Sequence, residues 1–295
     1  MIRSFVVVAM LLAGAGVLLP RVAFATSSLD ACTGVLQREA GTATAINVTA
    51  PGTWCLDEDL VESVDVVDTY FTMIAVDADD VTIDCRGHRI DYTGSGAYSM
   101  YGITTLGDRQ RLTVRNCHLH GFSEAIVAYG DGFLFEDNTV HASRPRQFGP
   151  GSSIYGGGNG IIRRNRLYDS IGRAIYTQGS SLVLDNLIDG VVRTTPGQIH
   201  AIDVFAADGA EVRGNTVRGI ESGPEFSQDM VLFIDADPGT RRTLATDNVF
   251  VHDGSEGDSG VFCGGADVLV SDNVLSGFFS PTTFCTDVAD NDISP

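Results

Sequence analysis

The chain contains no lysine: all 19 of its basic residues are arginine, set against 38 aspartates and glutamates, for a formal charge of −19. So little positive charge excludes a general nucleic-acid binder, which needs a basic face to neutralise phosphates. It also argues against docking on an anionic membrane surface. No Cys-x-x-Cys pair occurs among the six cysteines, which speaks against a structural zinc site. Sustained helical periodicity is missing from the body of the chain, which disfavours an α/β fold. What is present, 43 % hydrophobic and 19 % charged residues with 34 glycines, is the composition of a globular protein.

Residues 1–25 read as an export signal. Arg3 gives the positive start, Phe5 to Leu19 is apolar but shorter than the ~20 residues of a membrane span, and Ala23-Phe24-Ala25 offers a small-x-small cleavage pattern. Removal of Arg3 and Arg21 leaves 17 basic and 38 acidic residues, a charge of −21. No second spanning stretch follows, so the expected product is free of the membrane and either secreted or periplasmic. In those compartments cysteines form disulfides. Proximity favours 32–55, 85–117 and 263–285 among the fifteen possible connectivities.

The body of the chain is repetitive. LFEDNTV, IIRRNRL, LVLDNLI, EVRGNTV, LATDNVF and LVSDNVL each place apolar residues, a polar pair and an asparagine in the same order. The asparagines are Asn138, Asn165, Asn186, Asn215, Asn248 and Asn273, with Asn291 as a last echo, and Cys117 takes the position one coil earlier. Their irregular spacing fits a solenoid whose bare coil is short and whose bends carry inserted loops. Alternation along each short strand sends one side chain inward and the next outward. Asparagine suits the bend, because it tolerates left-handed backbone angles and its amide can bond both backbone and neighbour. A β-sandwich with asparagine turns is the alternative, and six matches in register disfavour it.

The strings PGTWCLDEDL, ADDVTIDCRGHRI and LTVRNCHLHGF, followed by the asparagine coils, resemble secreted right-handed parallel β-helix proteins of the pectin-lyase-like superfamily. The resemblance spans roughly residues 51 to 291. It implies an all-β, single-stranded right-handed parallel β-helix with an asparagine ladder over 51–295, preceded by an N-terminal cap at 26–50. Such families include polysaccharide lyases, glycoside hydrolases, uronan epimerases, tailspikes and noncatalytic surface proteins, so the fold alone names no activity. Several family signatures are missing. The chain cannot supply the lysine base of some uronate lyases, and it has neither the Asp-Pro-His-Glu string of some epimerases nor the Asn-Thr-Asp and Gly-His-Gly strings of polygalacturonases.

Aligned on the asparagines, the strands SIYG, AIYT, AIDV and FIDA predict an inward column of Ile154, Ile175, Ile202 and Ile234. Tyr155, Tyr176, Asp203 and Asp235 then form an outward strip, with coils ~4.8 Å apart. The longest insertions, 143–152, 193–199 and 220–229, precede this strand and would wall the strip into a groove. Arg173 and His200 sit at the loop-to-strand junctions. In the families the chain resembles, this face is the usual substrate cleft.

Arginine, histidine, tyrosine and aspartate together suit β-elimination or C5 epimerisation of a uronate. Arg173 would neutralise the sugar carboxylate, His200 would take the C5 proton, and Tyr176, beside Tyr155, would deliver a proton. Asp203 and Asp235 would hold a Ca²⁺ ion bridging to the sugar. The expected partner is an extended, preferably acidic polysaccharide bound by a monomer. A noncatalytic β-helix that binds glycan or Ca²⁺ is the alternative. A hydrolase using two aspartates fits less well, since inverting carboxyls stand ~6.5–9.5 Å apart, farther than neighbouring coils. A second column after the asparagine turn, His120, His141, Tyr168, Asp189 and Arg218, carries comparable chemistry on another face.

Overall fold

Short alternating segments separated by tight turns cannot bury an apolar face alone, so they stack. In the computed structural model all the described strand pairings are parallel and join successive coils. The structure describes residues 31–37, 45–63, 70–94, 99–141, 144, 151–192, 199–221, 229–236, 241–252, 258–265 and 267–294. The expected export signal and most of the insertions therefore lie outside the described residues. Of the expected cap, Gly34–Val35 and Ile46–Val48 are strands paired with Gly52–Cys55 and Tyr70–Val76.

Three sheets result and no helix occurs among the described residues. Sheet 1 has 11 strands, and sheets 2 and 3 have 10 each. One coil shows the pattern: Gly160–Arg163 lies in sheet 1, Arg166–Ile171 in sheet 2 and Arg173–Gln178 in sheet 3. Each sheet contributes an inward column, such as Phe135, Ile162 and Val183 from sheet 1 and Val140, Leu167 and Ile188 from sheet 2. These side chains are fully buried, each contributing about 1.5–3 kcal/mol of transfer free energy before entropy is counted. The fold is an all-β right-handed parallel β-helix.

The asparagines form one buried column at the bend between sheets 1 and 2. Asn138 Nδ2 donates to Asn165 Oδ1 at 3.0 Å, Asn165 to Asn186 at 3.1 Å, Asn186 to Asn215 at 2.9 Å, and so on to Asn291. The backbone N–H of each also donates to the next Oδ1, and Cys117 N–H to Asn138 Oδ1 opens the series at 3.0 Å. The left-handed residue is not the ladder asparagine, however, but the one before it: Asp137, Arg164, Asp185, Gly214, Asp247 and Asp272 have φ between 53° and 69°. That preceding residue makes the sharp corner, and the corner aims the asparagine amide into the coil. Asp and Gly tolerate this conformation best.

Disulfides join Cys32 to Cys55, Cys85 to Cys117 and Cys263 to Cys285. The last two have Cα atoms 4.8 and 5.0 Å apart, close to the strand spacing of stacked coils. Three such bonds are typical of extracellular or periplasmic proteins.

The register of sheet 3 differs from the sequence alignment at one coil. Ile154, Ile175 and Ile202 share a column as expected, but the next member is Leu232, not Ile234. Ile234 pairs with Val204, and the register then shifts so that Ala207 faces Ala236. One extra residue on the earlier strand, with Ala206 at φ 49°, makes this bulge.

Candidate functional site

Six successive coils of sheet 3 repeat a four-residue unit: Glu124–Val127, Ser152–Tyr155, Arg173–Tyr176, His200–Asp203, Met230–Phe233 and Ser259–Phe262. The middle two residues are buried, as in Ala174-Ile175 and Ala201-Ile202. The first of them is small (glycine, alanine or serine) in most coils, with Val231 the exception. At the equivalent Gly102 and Gly260, a Cβ would lie 2.5 and 2.6 Å from a backbone oxygen of the next coil. The outer two residues share the other face, so Arg173 meets Tyr176 and His200 meets Asp203 within their own strands. Tyr176 and Asp203 are direct register partners.

This places the side chains expected to carry chemistry in one cluster. Asp203 Oδ2 accepts from Arg173 Nε at 2.8 Å and contacts His200 Nδ1 at 3.0 Å. The Arg173 guanidinium carbon lies 5.1 Å from the centre of the Tyr176 ring. Tyr176 stacks on Tyr155 with centroids 5.0 Å apart, and Tyr155 contacts Tyr129 at 5.6 Å. On the other side the His200 ring lies flat on Phe233 at 4.6 Å, and Phe233 on Phe262 at 5.4 Å. The side chains of Asp203 and His200 are only 3 % and 9 % exposed, whereas Arg173 keeps 28 %.

A carboxylate acceptor at Nδ1 selects, for the neutral imidazole, the tautomer with its proton on Nδ1 and its lone pair on Nε2. That Nε2 is buried and has no hydrogen-bond partner among the described residues; Asp203 Oδ1 is in the same condition. A buried polar atom left unpaired costs about 1–3 kcal/mol. Tyr176 Oη accepts from Gln178 Nε2 at 2.8 Å, which leaves its own proton to donate elsewhere.

The two aspartates expected to hold Ca²⁺ are not register partners. Phe233, not Asp235, follows Asp203 in the outward column. Asp235 falls beyond, beside the backbone of Gly264, where an added Cβ would come within 3.1 Å of its Oδ1. Asp203 Oδ2 is shared by Arg173 and His200. A different group brings donors together: ligand atoms of Asp229, His252 and Asp258 lie within 4.8 Å of one another and all three residues are buried. His252 Nε2 is 3.3 Å from Asp258 Oδ2. One nitrogen and two carboxylates suit a transition metal better than Ca²⁺, which takes six to eight oxygens. Sequence reasoning missed this cluster, because its members come from two different coils and both flank inserted loops.

The second column is as expected: His120, His141, Tyr168, Asp189 and Arg218 are successive register partners on sheet 2. His141 stacks on Tyr168 at 4.4 Å, and Arg218 bonds Asp189 at 2.6 Å.

No curated protein and no solved structure gives a match to the chain. The model of the right-handed β-helix region matches residues 101–275, which include the whole candidate cluster and more than half of the sequence. With its parallel coils and continuous asparagine ladder, the chain belongs to the right-handed β-helix family.

Proposed function

We propose that this protein is a carbohydrate-active β-helix that removes the C5 proton of a uronate in an acidic polysaccharide, as a lyase or a C5 epimerase. The observation that carries the reading is the buried His200–Asp203–Arg173 group with its unpaired imidazole nitrogen. His200 Nε2 is the base. Asp203 orients the ring and stabilises the imidazolium that forms on proton transfer. Arg173 retains its outer N–H groups and can bind the sugar carboxylate, which makes the adjacent C–H more acidic. In elimination the C5 electrons form the C4–C5 double bond, the C4–O bond breaks, and Tyr176 gives its proton to the leaving oxygen. In epimerisation the proton is instead returned to the opposite face of C5. The stacked tyrosines turn their faces to one another, so Tyr155 and Tyr176 offer edges and hydroxyls to a sugar.

A panel of polyuronates and glycosaminoglycans, followed by ultraviolet absorbance of unsaturated uronate and by NMR of the residual polymer, tests both reactions. His200→Ala and Tyr176→Phe should each lower turnover per folded molecule about 10²–10⁴-fold. Preserved turnover per folded molecule rejects these roles. One observation favours a noncatalytic glycan-binding reading instead: Asp203 already offsets the Arg173 charge in a chain of formal charge −19. Binding of a glycan with no turnover across the panel selects that alternative.

A further inference from the structure

We propose that the outer face of sheet 2 is a second ligand site, which takes a linear anionic saccharide through Arg166. Two hollows of about 640 and 350 Å³ meet there, sharing His118 and Thr139. They follow two outward register rows. One is Arg89, His118, Thr139, Arg166 and Leu187; the other is Asp91, His120, His141, Tyr168 and Asp189. Each row crosses five coils, about 19 Å at the usual strand spacing, which suits an extended chain rather than a compact cofactor.

The charge on this face is the decisive feature. Nearly every described arginine is held by a carboxylate: Arg89 by Asp59 and Asp91, Arg164 by Glu136 and Asp137, Arg173 by Asp203 and Arg218 by Asp189 are the nearest examples. Arg144 is held by the carbonyls of Gly94 and Tyr92. Arg166 stands apart among the described residues, with an exposed guanidinium in the larger hollow and no hydrogen bond or ion pair from it. In a strongly acidic chain whose arginines are otherwise pinned, an unspent planar fork is a ready receptor for a carboxylate or sulfate.

The surroundings favour a sugar over a simple anion. Asp137 and Asp91 are already neutralised by arginines. The exposed Asp185 carboxylate in the larger hollow can accept from hydroxyls. His118 and His120 lie exposed along the rows and offer ring N–H donors. Donors, an acceptor and one cation spaced along a groove match a polyhydroxylated chain carrying periodic anions. This site is on a different sheet from His200 and does not depend on the activity proposed for that residue.

The test uses the whole chain, titrated with hexagalacturonate and, separately, with a heparin-derived hexasaccharide, while imidazole NMR resonances report the location. Either sugar should shift His118 and His141, both in the unmodified chain and in Arg173→Ala. Arg166→Ala should weaken this binding about tenfold or more, and Arg166→Lys should restore only part of it, because the ammonium lacks the fork. The sugar that binds more tightly identifies the anion as carboxylate or sulfate. Shifts confined to His200, no shift with either sugar, or unaltered affinity in Arg166→Ala would each overturn the proposal. Arg166 is solvent-exposed, so a folded variant with an unchanged melting point is expected and is checked by circular dichroism.

Discussion

Asn186→Leu is the sharpest test of what holds the solenoid together. The replacement keeps the branched four-heavy-atom shape of asparagine and is somewhat larger, so no cavity opens and the loss is chiefly polar. Asn186 Oδ1 accepts from the backbone N–H of Asn165 at 2.9 Å and from its Nδ2 at 3.1 Å. Its own Nδ2 donates to the carbonyl of Ile162 and to Asn215 Oδ1, both at 2.9 Å. Four bonds at about 1 kcal/mol net give ~4 kcal/mol. The buried Asn165 N–H, left without its acceptor, adds to this, while burial of the leucine methyls returns part. The expected loss is ~3–5 kcal/mol. Asn291→Leu supplies the control: that residue ends the ladder, is only partly buried, and can replace its bonds with water. Its cost should be about 1 kcal/mol. Urea melts followed by circular dichroism, with disulfides intact, measure both variants, and amide exchange at Asn165 and Leu187 shows whether one coil opens alone. A loss below about 1 kcal/mol for Asn186→Leu, or equal losses for the two variants, would refute the argument that the ladder carries energy.

Acid stability should report on Asp84. Burial pushes its carboxyl upward, but Asn116 Nδ2, the Arg86 N–H and Arg115 outweigh that effect and hold it below the ordinary aspartate range. Its stabilisation is therefore present above the unfolded value of about 3.9 and is lost as pH falls through the depressed folded value. Asp84→Asn should cost about 2 kcal/mol at pH 6 and lose less than the unmodified chain between pH 4 and pH 2; parallel acid limbs in urea melts would contradict this. Replacing Cys263 and Cys285 together by serine should cost about 3 kcal/mol, the entropy of a closed loop of this length. Peptide mapping under non-reducing conditions should recover the two as one linked pair, and free thiols at both positions would dismiss the assignment.

The ladder asparagines and the column Tyr155–Tyr176–Asp203 were legible in the sequence, since each depends on alternation within a few residues of a repeated motif, and proximity along the chain was enough to favour the cysteine pairs that form. Stacking multiplies that local signal: a motif in the same phase on every coil must end in one column. The fold class follows from the same repetition. The site was legible only in part. Arg173, Tyr176, His200 and Asp203 could be placed on adjacent coils, but the shared Asp203 oxygen and the unpaired His200 nitrogen depend on how the two outer residues of each unit lean together. The alignment of AIDV with FIDA failed because parallel pairing joins strands about 30 residues apart. Its register is set by packing of Leu232 beneath Ile202 and by a bulge near Ala206, not by local likeness. For the same reason only the tertiary structure could bring Asp229, His252 and Asp258 into one buried group, and only it could single out Arg166. Which charges neutralise one another is decided between coils, where loops of unequal length hide the spacing from the sequence.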